Sequence, residues 1–274
     1  MKPLALFITS VLLLGAPVAA QDNMSAPVVD SQKTGAKSSD EFSRLLTQLK
    51  SESAAARREA IEQLVEMEER RAAEHLIPLL ADPKADVRAA AAGALGQFGE
   101  RRAVEPVIEM LKDQVAFVRA AAARVLCELA DARAVDPLMN ALKDPSSNVR
   151  AAAAVSLGVF KDERSFTELM ARLADEAPDV RLSVALSLGR FRNRKAVDPL
   201  IGLLKDREVN VKVAAAIALA DIGDKRAAPA LDEAINSESN EETRSQMKEA
   251  LQRLKAAPDN ELTGRRRPRF VAAG

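Results

Sequence analysis

Apolar residues recur along this chain in two alternating patterns. In the first, leucine-type residues stand four apart: Leu45/Leu49, Leu76/Leu80, Val107/Leu111, Leu138/Leu142, Leu169/Leu173, Leu200/Leu204 and Leu231/Ile235. That spacing marks one buried face of a helix. In the second, a Val is followed four residues on by an Ala, then by a Leu (Leu64, Leu95, Leu126, Leu157, Leu188, Leu219, Leu251), and often by a Phe such as Phe98, Phe160 or Phe191. This stripe also has the helical period. Each pair of patterns predicts a helical hairpin, and the hairpin repeats every 31 residues: Ala134-Val135-Asp136-Pro137-Leu138 returns as Ala196-Val197-Asp198-Pro199-Leu200. A period in this range means stacked supersecondary units, which bury their apolar faces only against one another.

The expected units lie at about 41–71, 72–102, 103–133, 134–164, 165–195, 196–226 and 227–258, the last with one extra residue. The pairs Glu105-Pro106, Asp136-Pro137 and Asp198-Pro199 read as a cap and a Pro at the first helical position. Asp86, Asn148, Asp179 and Asn210 read as caps of the second helices, with Phe117 breaking the rule in its unit. Alanine runs such as Ala89–Ala92, Ala120–Ala123 and Ala151–Ala154 supply strong helix formers and small spacers. The fold expected is all-α, a right-handed α-solenoid of about seven repeats.

The residues also carry a resemblance. A-V-D-P-L-I-x-L-L-K-D followed by V-R-x-A-A-A-x-A-L-G is similar to the HEAT repeat of the phycobilin-lyase type, over 41–258 and most closely over 72–226. Proteins with such repeats include adaptors, chromophore lyases and the iron enzyme deoxyhypusine hydroxylase. The last binds iron through several His–Glu pairs, and this chain has no pair of that form. No residue here stands out for handling a bilin.

Asp82, Asp113, Asp144, Asp175 and Asp206 close the first helices, and six residues after each comes Arg88, Arg119, Arg150, Arg181 or Lys212. The resemblance implies that these form the hydrogen-bonded ladder joining one unit to the next. At the ends Ser51 and Ser237 replace Asp, and the ladder is expected to fail there. The charges of the first unit (Arg57, Arg58, Glu59, Glu62, Glu66, Glu68, Glu69) read as the polar outer face of a terminal repeat.

Projected on a wheel, the side of the second helices opposite the core carries Ala89, Gly93, Gln97 and Glu100, then Ala120, Arg124 and Glu128, then Ala151, Val155 and Val159, then Leu182, Leu186 and Arg190, then Val213, Ile217 and Asp221. The resemblance places second helices on the concave face. The expected partner-binding strip is therefore Val155, Val159, Leu182, Leu186, Val213 and Ile217, with Arg124, Arg190 and Asp221 beside it; large apolar patches mark interaction sites. Packing between neighbouring helices is the alternative for these side chains.

Composition narrows the function. Forty basic and forty acidic residues cancel, which argues against wrapping a polyanion such as nucleic acid. His75 is the only histidine and Cys127 the only cysteine, too few for zinc, haem or a His-based triad. Cys127 occupies the column of Gly96, Gly158, Gly189 and Ala220 and reads as a buried inert thiol, with a reactive or bridging cysteine as the alternative. No catalytic, metal or cofactor residue is assigned. The function expected is a non-enzymatic scaffold or adaptor for a protein partner; the alternative is a lyase- or chaperone-like subunit cradling a small molecule or client.

The ends add an address and a tail. Lys2, the apolar run Leu4 to Leu14, Gly15, Pro17 and Val18-Ala19-Ala20 have the order of a signal peptide (1–20), too short to span comfortably. A leader (21–40) follows, rich in polar and small residues and expected to be flexible. Beyond 258 a basic tail (259–274) is expected to be disordered; its Arg265, Arg266, Arg267 and Arg269 are candidates for contacting an anionic surface. Export to the periplasm or outside the cell follows from the first segment. Amino-terminal sequencing of the cell-associated protein should begin at Gln21, and intact Met1 in the cytosol would overturn the assignment.

Overall fold

The computed structural model describes residues 31–258, with side chains from Asp40 onward. The described residues divide between Asp40 and Glu41, and the repeats lie in the part from Glu41 onward. Among the described residues there is no strand, and no helix is long and apolar enough to cross a membrane. The first helices of the hairpins are α1 (Ser31–Gln48), α3 (Ala73–Leu76), α5 (Val104–Met110), α7 (Val135–Ala141), α9 (Glu163–Ala171), α11 (Val197–Leu203) and α13 (Ala228–Ser237). The second helices are α2 (Ala54–Glu66), α4 (Ala85–Phe98), α6 (Ala116–Leu129), α8 (Ser147–Phe160), α10 (Pro178–Phe191), α12 (Val209–Ile222) and α14 (Glu241–Ala256). The result is an all-α solenoid. The helix α1 begins at Ser31, inside the segment expected as a flexible leader.

Helix starts differ from the expected caps. The first helices are entered through short 3₁₀ turns, such as Arg101–Ala103, whose cap is Glu100, accepting from the Arg102 amide. Asp131, Asn193 and Asp224 do the same in their units, and Asp162 caps α9 directly. The acid–Pro pairs thus fall within the first helical turn, where a negative charge still favours the positive end of the helix. Likewise Asp86 and Asp179 lie in the first turns of α4 and α10, each two residues past its cap, Lys84 or Ala177. Asn148 and Asn210 sit inside α8 and α12 after the caps Ser146 and Glu208. In the second unit Pro78 cannot donate to the carbonyl one turn back. There α3 ends after four residues and the chain continues as 3₁₀ helix from Ile77 to Ala81.

The second helices stack on one another, α2 on α4, then α6, α8, α10, α12 and α14. Their leucines Leu95, Leu126, Leu157, Leu188 and Leu219 are fully buried, as are Ala91, Ala122, Ala153 and Ala215. Side-chain size decides how close they come. A Cβ built on Gly158 would lie 2.6 Å from Ser187 Cβ and 2.8 Å from its Cα, and one on Gly189 would lie 2.8 Å from Ala218 Cα. Two buried hydroxyls tie the stack further, where Ser156 Oγ donates to the Ala123 carbonyl and Ser187 Oγ to the Ala154 carbonyl, each at 2.8 Å.

The first six second helices are followed by a left-handed residue at the same repeat position, Glu68, Gly99, Ala130, Lys161, Arg192 and Gly223, whereas α14 ends on extended Ala257. Only two of the six are glycine, the residue this conformation favours. The turn recurs wherever one hairpin passes to the next, and packing of the flanking helices holds it where glycine is absent.

Gly158→Ala should lower stability by about 1–3 kcal/mol, because Ser187 and its backbone must move. Gly93→Ala, in α4 with nothing within 4 Å of the added methyl, should be neutral or stabilising by up to about 1 kcal/mol. Urea melts of the two variants beside the parent check the contrast.

Candidate partner-binding face

Charged residues form two rows along the stack, one at each set of turns. In the first, Arg88 Nε and Nη2 donate to Asp113 at 2.7 and 2.8 Å, while its Nη1 donates to the Asp82 carbonyl at 2.8 Å. Arg119–Asp144, Arg150–Asp175 and Arg181–Asp206 repeat this geometry. Each guanidinium therefore takes its own unit's carbonyl and the next unit's carboxylate. Each carboxylate also accepts a backbone amide two residues on, from Val115, Ser146, Ala177 or Glu208.

The row does not fail at its ends. Arg57, expected on a solvated face, is buried and holds Asp82 through two hydrogen bonds at 2.7 and 2.8 Å. At the other end Lys212 Nζ donates to Glu238 at 2.7 Å, one residue beyond Ser237, because the last unit carries one extra residue. Arg57 stands 31 residues before Arg88, in the same column as the other ladder arginines, whereas Glu238 lies one residue out of the 31-residue register.

Burial pushes the Asp144 carboxyl up, but the hydrogen bonds from Arg119 and the Ser146 amide, with the charges of Arg119 and Arg150, hold it below its ordinary value. Asp82, Asp113 and Asp175 are lowered against the same cost of burial. For Asp206 the Arg181 hydrogen bonds are the largest effect, and the net direction is again down.

The second row lies where one hairpin passes to the next. Arg102, Arg133, Arg164 and Arg226 fold back on Glu100, Asp131, Asp162 and Asp224 two residues earlier. Arg133 also reaches Glu105 at the start of α5, and Arg164 reaches Asp136 at the start of α7. The Arg133 hydrogen bonds bring Asp131 down to about 2. These exposed pairs satisfy themselves rather than opening onto a cavity.

The strip named from the wheel lies on successive packed helices, α6, α8, α10 and α12. Val155 and Val159 are exposed, at 43% and 47%. Leu182 and Leu186 are half-buried and packed against the core. Val213 and Ile217 are half-buried and lie outside the continuous core. Arg124 and Arg190 are exposed, and Asp221 is paired with Arg253 of α14. The same arc carries Arg58, Glu62 and Glu66 on α2, with Arg58 and Glu62 paired, and Ser245, Glu249 and Arg253 on α14. The apolar stretch is thus an island over α8, α10 and α12, with charged residues at both ends of the stack.

Other candidates stand as follows. Burial raises the Cys127 thiol, opposed by a hydrogen bond with Ser156 and the charge of Arg190. His75 is exposed, 3.6 Å from Glu74. Among the described residues no cluster of His, Cys, Asp and Glu could hold a metal ion. A cleft of about 430 Å³ at the carboxyl end is lined by Arg192, Asp221, Gly223, Arg253 and Pro258 among others. The signal segment 1–20 and Arg265, Arg266, Arg267 and Arg269 fall outside the described residues.

Comparison with known proteins agrees with this architecture. HEAT repeats match residues 42–126, 116–188 and 166–252. The chain belongs to the HEAT-repeat family. Among solved structures, a chain from the complex of CpcE and CpcF of phycocyanin lyase from Nostoc is 20% identical and superposes with a TM-score of 0.54, covering 87% of this chain and 100% of that one. Human deoxyhypusine hydroxylase, in complex with glycerol, is 23% identical with a TM-score of 0.40, over 78% and 84% of the two chains. No curated protein matches the sequence. At 20% identity the likeness to the phycocyanin lyase chain is one of fold alone.

Asp144→Ala should cost about 1–3 kcal/mol, because it leaves the Arg119 guanidinium and the Ser146 amide without their acceptor. The ladder carboxyls are lowered in the folded state, so their contribution is complete above the ordinary carboxylate pKa, near 4, and is lost as pH falls through the folded values. The urea midpoint of the parent should therefore fall steeply below about pH 4, and that of Asp144→Ala less steeply. Equal midpoints for the two proteins at pH 7 would show Asp144 to be a solvated acid.

Proposed function

We propose that this chain is a non-enzymatic interaction scaffold that takes a protein partner on the concave face of its stack, and that it is exported to the periplasm or cell envelope. The observation that carries the reading is the island on α8, α10 and α12: two valines exposed by more than two fifths, in a stack whose other second helices carry Gly, Gln or charge at those positions. Close packing between the helices is already supplied by Gly158, Gly189 and the serines, so Val155 and Val159 are not needed for it. Exposed apolar side chains clustered in this way are a feature of interaction sites. The acids and bases of the repeats are consumed in the two rows of pairs, which serve the stack. Export rests on the order of residues in 1–20, and the tail arginines Arg265, Arg266, Arg267 and Arg269 add a contact to an anionic surface.

The strip supports a graded test. Val155→Asp and Val159→Asp should leave the helical circular dichroism and the melting midpoint nearly unchanged, within about 0.5 kcal/mol, since both sites face water. Each should abolish capture of the partner by a photo-crosslinker placed at Ile217 in living cells. Leu186→Asp, half-buried against the core, should lose both stability and capture. Undiminished capture by the two valine variants would remove the island from the binding site.

A further inference from the structure

The island is not uniformly apolar, and the exception says what covers it. Arg190 stands one turn after Leu186 on α10, on the same arc, in the column of Val159 and Asp221 and between them. It is exposed and, among the described residues, makes no hydrogen bond and no ion pair. Its charge acts on the Cys127 thiol, two repeats earlier. Of the acids in the same column, Asp221 is paired with Arg253, and Glu128 lies against Gly96 with Arg124 as its neighbouring charge. Arg124, at the amino-terminal edge of the island, likewise makes no hydrogen bond among the described residues.

A wholly apolar partner laid on this face would take the Arg190 guanidinium out of water and give it nothing in return, a cost of several kcal/mol for an isolated charge. A carboxylate in the partner reverses the sign, because Arg and carboxylate form a bidentate, charge-assisted pair. Three helices spaced at about 8–10 Å give a face roughly 16–20 Å long, the length of about 11–13 residues of helix. We infer that the island binds an acidic apolar segment of a protein partner, with its Leu, Ile, Val or Phe side chains on Val155, Val159 and Ile217 and an Asp or Glu carboxylate on Arg190. The inference rests on the scaffold reading and specifies its partner by chemistry.

A library of displayed 12-residue peptides selected on the immobilised full chain tests it. Selected peptides should combine large apolar residues with Asp or Glu above the library frequency, and should bind Arg190→Glu at least tenfold more weakly than the parent. Replacing their acidic residue by Lys should restore binding to Arg190→Glu while weakening it to the parent. Arg190 is exposed and unbonded, so the melting midpoint of the variant should match the parent's; Arg190→Gln, with no charge reversed, should give a smaller loss in the same direction. Peptides that need Val155 but show no acidic enrichment and no response to Arg190→Glu would overturn the inference and leave the groove standing. Peptides indifferent to both Val155→Asp and Arg190→Glu, or no selected peptide at all, would overturn both.

Discussion

The close approach of successive second helices is the constraint on which the rest of this structure depends. At Gly158 and Gly189 the neighbouring backbone occupies the space where a Cβ would go. Neighbours this close leave no room for a side chain between them, so the contact is made by Gly, Ala and Ser, and the two buried serines donate across it. Each hairpin alone would expose its leucines; stacked, every unit's core is completed by the next. The aliphatic residues that do not fit into this contact are turned to its outer side.

The Arg–Asp row follows from the same geometry. A guanidinium can bridge its own unit's carbonyl and the next unit's carboxylate only if the two units sit at one separation and one rotation. An ion pair removed from water is weak evidence of net stability. Its directional hydrogen bonds instead penalise any slip of one repeat against the next, because a shifted unit leaves a charged group and a helix-start amide unpaired. That explains why the row extends beyond the regular Arg57–Asp82 pair at one end to Glu238 at the other, where the one-for-one residue pattern stops. The substitution of Lys212 for Arg keeps the charge and gives up the fork.

Function is then written on what the scaffold leaves unused. The outer arc varies from unit to unit while the inner positions do not: Gly93, Arg124, Val155, Leu186 and Ile217 share one column, whose inner counterparts are Leu95, Leu126, Leu157, Leu188 and Leu219. An invariant core beside a varied face separates stability from recognition in residue terms. The varied face is apolar only over α8, α10 and α12, and among the described residues Arg190 within it and Arg124 at its edge are unbonded guanidiniums. Its chemistry differs from the self-satisfied pairs of both charged rows.

Periodicity alone determined the helices, the hairpins, the core leucines and the columns of the outer arc, because helical side-chain direction repeats every 3.6 residues and the unit every 31. The sequence also shows the small residues at the helix contact, since nothing larger recurs there. It misplaced the caps, because Glu100 and Asp131 precede a 3₁₀ turn that has no periodic signature. It missed the left-handed ends at Ala130, Lys161 and Arg192, because a conformation that glycine favours was imposed there by packing on other residues. Only the tertiary structure decided the partners of Arg57, Lys212 and Asp221, and which aliphatic side chains of the arc meet water: Val155 and Val159 do, while Leu186 is drawn half into the core. A helical wheel gives direction around one axis, whereas exposure and pairing depend on how far away the next helix stands.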